Sequence, residues 1–120
     1  MKIIVAGGRD FDDYDLLCET LDDMFAGFAP EYMEVVSGGA TGADSLGEKW
    51  ADIYGFSVDK FPANWKEYGK AAGAIRNIEM AKVSDWLVAF WDGKSKGTKH
   101  MIDTALKHRL EIRVVFYDQG

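Results

Sequence analysis

Three glycine-rich turns, each following a short apolar run, constrain this chain more than any other feature. They read Ala6-Gly7-Gly8-Arg9-Asp10, Ser37-Gly38-Gly39-Ala40-Thr41-Gly42-Ala43-Asp44 and Asp92-Gly93-Lys94-Ser95-Lys96-Gly97-Thr98. The runs before them are Ile3 to Ala6, Val35-Val36 and Leu87 to Trp91. Short β-branched or aromatic runs read as strands covered on both faces. Strands are predicted at 2–6, 34–37, 57–61, 86–91 and 112–117, and helices at about 13–26, 43–54, 70–83 and 98–109. The helices carry apolar residues three and four apart, such as Leu17, Leu21 and Met24, or Leu46, Trp50 and Ile53. Regular alternation of strand and helix requires a parallel sheet with helices on both faces and right-handed crossovers. The predicted fold class is therefore three-layer α/β, with a five-stranded parallel sheet in the order 3-2-1-4-5.

Such a sheet also predicts where a ligand goes. All strand-to-helix turns emerge at the carboxyl edge, and ligands bind there where the strand order reverses. That point lies between the turn at Gly7-Gly8-Arg9 and the turn at Gly93 to Thr98. Glycine lets backbone approach a ligand closely, and the following helix aims free N–H groups and its positive dipole end at the same place. The pattern points to a phosphorylated ligand. Within the elements, Gly55 reads as a helix stop after Tyr54. Thr41 with Asp44 three residues on reads as a capping box, and Thr98 as the cap of the last helix. Phe61 to Gly69 reads as the one long irregular stretch.

The 120 residues are predicted to form a single domain, 1–120, and the apolar fraction of 48% is ample for one core. No apolar run approaches the ~20 residues of a membrane span, and the short apolar start reads as a first strand, not a signal peptide. A cytoplasmic location is expected, and the single Cys18 has no partner for an internal disulfide. The net charge of −6 weighs against nucleic-acid binding, which depends on Lys and Arg neutralising phosphates. The charge is nevertheless segregated. Acids crowd Asp10 to Asp23, whereas Lys94, Lys96, Lys99 and His100 crowd the third turn, either as a solvated cluster or as a positive spot around an anion.

Several chemistries lack their residues. A dinucleotide fingerprint fails at Gly7-Gly8-Arg9-Asp10-Phe11, and no acid ends the second strand to hold a ribose. A P-loop fails because Val88 stands at the first glycine position ahead of Gly93-Lys94-Ser95. His100 and His108 have no companions at metal-ligand spacing, so neither a metal nor a cofactor is expected.

Taken together, six ordered segments resemble the SLOG superfamily, and within it the small stand-alone branch related to YspA and YpsA, found in bacteria and phages. They are Val5 to Phe11, Val36 to Asp44 with Trp50-Ala51, Phe61-Pro62-Ala63-Asn64-Trp65, Tyr68-Gly69, Gly73 with Arg76-Asn77 and Met80, and Gly97-Thr98. The resemblance spans nearly the whole chain. It implies a Rossmann-like sheet that binds a nucleotide or nucleotide-derived ligand, without implying one activity. The superfamily also holds the lonely-guy phosphoribohydrolases and the core of DNA-processing protein A. The hydrolases carry Pro-Gly-Gly-x-Gly-Thr-x-x-Glu after the fourth strand. Here Gly97-Thr98 is kept, but Met101 stands where the catalytic Glu belongs. A methionine cannot stabilise a ribosyl cation or orient water by charge, as carboxylates do in glycoside cleavage.

The predicted ligand-binding set follows. Phosphates are expected on the backbone amides of Gly7-Gly8, of Ser37 to Gly42 (Ser37, Gly38, Gly39, Ala40 and Gly42) and of Gly97-Thr98, assisted by Arg9. Arg76, beside Asn77, reaches into the cleft or pairs with an acid of a neighbouring subunit. Trp65 closes over a base or ribose, or covers the core edge. Asp44 caps its helix or bonds a neighbouring turn, and is the one candidate for a catalytic role. Trp50, Trp86 and Trp91 are assigned to the core or an interface. The favoured function is binding of a nucleoside phosphate, ADP-ribose or NAD derivative as a sensor or carrier. The alternatives are a nucleotide phosphoribohydrolase using Asp44 or Asp10, and a single-strand nucleic-acid accessory protein. A homodimer or higher oligomer is the expected assembly.

Overall fold

A computed structural model describes residues 1–118. In chain order the elements are β1 Lys2–Gly7, α1 Tyr14–Phe25, β2 Glu34–Ser37, α2 Ala43–Tyr54, β3 Ser57–Lys60, α3 Trp65–Tyr68, α4 Ala72–Val83, β4 Trp86–Trp91, α5 Lys96–Lys107 and β5 Glu111–Phe116. The strands form one parallel sheet in the order β3-β2-β1-β4-β5, as predicted.

Strand pleating divides the core into two layers. Ile3, Val5, Val35, Val88 and Phe90 pack with Leu17, Leu21 and Phe25 of α1 and Trp50 of α2. Their neighbours Ile4, Ala6, Val36, Leu87 and Ala89 point the other way, onto Met80 and Ala81 of α4 and Met101 and Ala105 of α5. The central strands are buried on both faces, which is why they read as continuous apolar runs. α2 comes unusually close to β1. A Cβ on Gly47 would lie 2.7 Å from Val5 Cγ1, so only glycine permits this approach. Among the described residues no helix is long and apolar enough to cross a membrane.

The local differences from expectation concern helix starts. Gly42 is the N-cap of α2 and makes no side-chain cap bond; Asp44 instead accepts from the Ala40 amide, so Thr41 and Asp44 do not form a capping box. α5 starts two residues earlier than predicted because Ser95, not Thr98, caps it, accepting from the Thr98 amide at 3.4 Å. α4 begins at Ala72, after a 3₁₀ turn over Gly69–Ala71. The stretch from 61 to 69 is not wholly irregular: Trp65–Tyr68 forms a single helical turn capped by Asn64. Gly55 does end α2, in the left-handed conformation (φ 78°, ψ 17°).

Candidate functional site

β1 and β4 lie side by side, Gly7 opposite Phe90, and their chains then diverge to opposite sides of the sheet. The gap between them opens a cleft of about 670 Å³ at the carboxyl edge. One wall is the first turn, Gly7 to Asp10, with Ala40 and Asp44 from the second. The other is the start of α5, Ser95 to Thr98, with His100 and Met101. Trp65, Lys70, Arg76, Asn77 and Met80 close it from the side of α3 and α4. A second cavity of about 340 Å³ adjoins it and is lined by Gly38 to Thr41, Pro62 and Ala63. The two share Arg9, Ala40, Trp65 and Arg76.

The first two turns are stitched together through backbone. Gly8 C=O accepts from the amides of Phe11 and Ala43, both at 3.2 Å. This contact demands glycine at position 42, which has φ +79° and ψ −129°. A Cβ there would collide with Gly8 C=O and lie 2.7 Å from the Arg9 backbone. The second turn also satisfies its own amides. Gly39 N–H donates to Ser37 Oγ (3.1 Å) and Ala40 N–H to Asp44 Oδ2 (3.2 Å).

Asp44 is only 6% exposed. Burial pushes its carboxyl up to about 6, against the opposing pull of the Ala40 amide and the Arg76 guanidinium. Arg76 is itself fixed from two sides. Nη1 donates to Gly38 C=O at 2.7 Å and Nε donates to Asn77 Oδ1 at 3.1 Å. With its oxygen thus engaged, the Asn77 amide turns its Nδ2 toward His100 Nδ1, 3.1 Å away. That bond makes Nδ1 the acceptor and leaves the imidazole proton on Nε2. Burial lowers the pKa of Arg76, and Asp44 partly restores it.

The third turn is built differently. Asp92 Oδ1 accepts from the Lys94 and Ser95 amides, both at 2.8 Å. No acidic residue stands in the first turn of α5, while Lys94, Lys96 and Lys99 cluster around it. At the far rim Tyr117 lies edge-on to Phe11 (4.8 Å) and donates to Asp10 Oδ1 at 2.8 Å. Burial and this bond raise its phenol well above the ordinary tyrosine range.

Most of the residues singled out by sequence meet here. Gly7, Gly8, Arg9, Ala40, Asp44, Trp65, Arg76, Asn77, Gly97 and Thr98 line the larger cleft, and Gly38 and Gly39 line the smaller. Ser37 and Gly42 line neither. Ser37 is fully buried and donates to Glu48 Oε2 at 2.6 Å, and Glu48 in turn pairs with Lys60. The Thr98 hydroxyl donates to Ser95 Oγ (3.3 Å), so it is committed within the turn. Of the four tryptophans, Trp50 is core (1% exposed) and Trp65 is half exposed at the cleft. The structure adds Lys70, Lys96, Asp92 and His100 to the lining. Lys96 and His100 were legible only as local positive charge, Lys70 carried no signal, and the pattern Ser95-x-x-Thr98 could have located the true cap. Among the described residues no group of His, Cys, Asp and Glu is arranged to hold a metal ion.

Comparison with known proteins agrees with this architecture. The sequence profile of the YspA, cpYpsA-related SLOG family matches residues 1–68, which span β1 through α3 and the first two turns. The Gene 61 protein of Mycobacterium phage D29 is 36% identical over 112 residues, covering 88% of this chain and 89% of that protein. No solved structure gives a significant match. The chain belongs to the YspA, cpYpsA-related SLOG family.

Proposed function

We propose that this SLOG-family chain binds a phosphorylated nucleotide or nucleotide-derived ligand, such as a nucleoside phosphate, ADP-ribose or an NAD derivative, and acts as a sensor or carrier. The observation that carries this reading is the positive start of α5 opening onto a cleft that also holds Arg9 and Arg76. Lysines around a helix N-terminus oppose the helix dipole, and an anion seated among them relieves both. The size of the cleft falls in the ordinary range for small-molecule sites. Its carboxylates, Asp10, Asp44 and Asp92, suit ribose hydroxyls, which donate to them. Trp65 offers an exposed aromatic face for a base.

The test is thermal unfolding against AMP, ADP, ATP, ADP-ribose, cyclic ADP-ribose and NAD. A ligand at about 100 times its dissociation constant stabilises the fold by about 2.7 kcal/mol, which raises the midpoint by several degrees in a domain of this size. The shift is expected to shrink in Lys96→Ala and Lys70→Ala, two exposed positions whose loss leaves the core untouched. Absence of a shift with every compound retires the reading.

The buried Asp44 carboxyl, pushed up to about 6 at the cleft wall, favours one second reading: a phosphoribohydrolase in which Asp44 supplies the acid. Met101 at the usual Glu position is 2% exposed and packed in the core, so it contributes no charge. Base release from a nucleoside monophosphate, abolished in Asp44→Asn, is the outcome that reading requires.

A further inference from the structure

We propose that the ligand is two-lobed: a diphosphate passes between Arg9 and Arg76, with a nucleoside in the larger cavity and a second sugar or nucleoside in the smaller. This inference rests on the reading of the cleft as a nucleotide site. It comes from the way the two cavities meet. They share Arg9, Ala40, Trp65 and Arg76, so both arginines stand on the boundary and belong to neither side alone. Arg76 is held by Gly38 and Asn77 through two of its five N–H donors, which fixes the guanidinium in place with donors to spare. Arg9 is exposed and makes no hydrogen bond or ion pair among the described residues.

The carboxylates are divided unevenly. Asp10, Asp44 and Asp92 all line the larger cavity, and none of the acids lines the smaller one. Phosphates are therefore drawn toward the boundary, where the guanidiniums of Arg9 and Arg76 together outweigh the carboxylate beside them, Asp44. A mononucleotide would end at that boundary and leave the smaller cavity, about 340 Å³, unused. Beyond it the smaller cavity offers glycine-turn backbone, Pro62, Ala63 and one side of the Trp65 ring. Apart from the two boundary arginines no cation among the described residues lines it, so it suits a sugar or a base better than a further phosphate.

Isothermal titration calorimetry of the full chain with AMP, ADP, ADP-ribose and NAD tests the inference. ADP-ribose or NAD is expected to bind at least about tenfold more tightly than ADP, the gain from one or two additional hydrogen bonds in the smaller cavity. Ala63→Trp fills the smaller cavity and is expected to bring that ratio to near one, with circular dichroism and the thermal midpoint confirming the fold. Should Ala63→Trp unfold, Thr41→Trp plugs the same cavity from an exposed position. If ADP binds as tightly as both two-lobed compounds, or the ratio survives in the plugged variant, the ligand is one-lobed and the inference fails while the nucleotide site stands. If none of the four binds, the nucleotide site itself falls and the inference with it.

Discussion

Helix α2 begins on a buried carboxylate, Asp44, whereas α5 begins among lysines, with no acid in its first turn. Both helices point their N-termini at the same cleft, and a helix N-terminus favours negative charge. α2 carries that charge as part of the chain. Asp44 accepts from the Ala40 amide, lies against Arg76, and occupies a turn whose Gly39 and Ala43 amides are also bonded within the protein. α5 has an uncharged serine cap: Asp92 accepts from the amides of Lys94 and Ser95 ahead of the helix, Lys99 pairs with Asp103, and Lys94 and Lys96 stand exposed around its start. Glycine-rich turns alike in composition thus do different work. The second locks the first turn to α2 and shapes one wall of the cleft, and the third sets exposed lysines at the other.

Substitutions break this contrast most sharply at the glycines. Gly42→Ala places a side chain at φ +79° and into the Gly8 carbonyl. It is expected to destabilise the fold by more than about 2 kcal/mol, measured by urea denaturation. A neutral result would mean that the first and second turns are not locked together as described.

Asp44→Asn probes the buried charge. Burial pushes this carboxyl up to about 6 in the folded chain, from an ordinary value of 3.8. The folded state therefore binds the proton more tightly, so stability falls as pH rises between those values. Above about 6 the ionised group imposes its full burial cost. Asn keeps an acceptor for the Ala40 amide without the charge. Asp44→Asn is expected to be more stable at pH 7 by on the order of 1–2 kcal/mol, with the pH slope between 4 and 6 flattened. A variant less stable at pH 7 would show that attraction to Arg76 outweighs burial.

The smallest effect belongs to the third turn. A Cβ on Gly97 meets nothing within 4 Å, and its φ lies outside the left-handed region. Gly97→Ala should stabilise α5 by about 0.5–1 kcal/mol, opposite in sign to Gly42→Ala. Thermal unfolding without ligand measures it, and a loss of stability would show that the turn needs glycine for its own shape.

The sheet order and strand positions were legible because the strands are short apolar runs punctuated by glycine, and because alternation with helices leaves few topologies. α3 escaped because four residues show no periodicity. Its signal was the pair Asn64 and Glu67, which cap each other: Glu67 N–H donates to Asn64 Oδ1 at 3.1 Å and Asn64 Nδ2 donates to Glu67 Oε2 at 3.0 Å. Arg76 was legible as a residue that reaches into the cleft or pairs across a subunit boundary, and in the folded chain it lines the cleft. The bond from Asn77 to His100 was not legible. It joins residues on two helices across the gap, and no local pattern reports such a contact. The bond of Ser37 was not legible for a related reason: it ends β2, and its hydroxyl is taken by Glu48 of the next helix.

β1 precedes the other strands of its sheet in the chain but lies in the middle of the sheet, so it is among the last to be completed. One edge pairs with β2, but the other waits for β4, and its start is tied to Asp85, 83 residues along the chain. The turn that follows it waits longer still, since Asp10 is clasped by Tyr117 across 107 residues. Pairings this remote slow folding, because the loop must close before the contacts reward it. A nascent chain that has reached only β3 presents Ile4 and Ala6 without the helices that cover them. The cleft has no existence in such a chain, because the residues of α4, α5 and the third turn that line it have not yet been made.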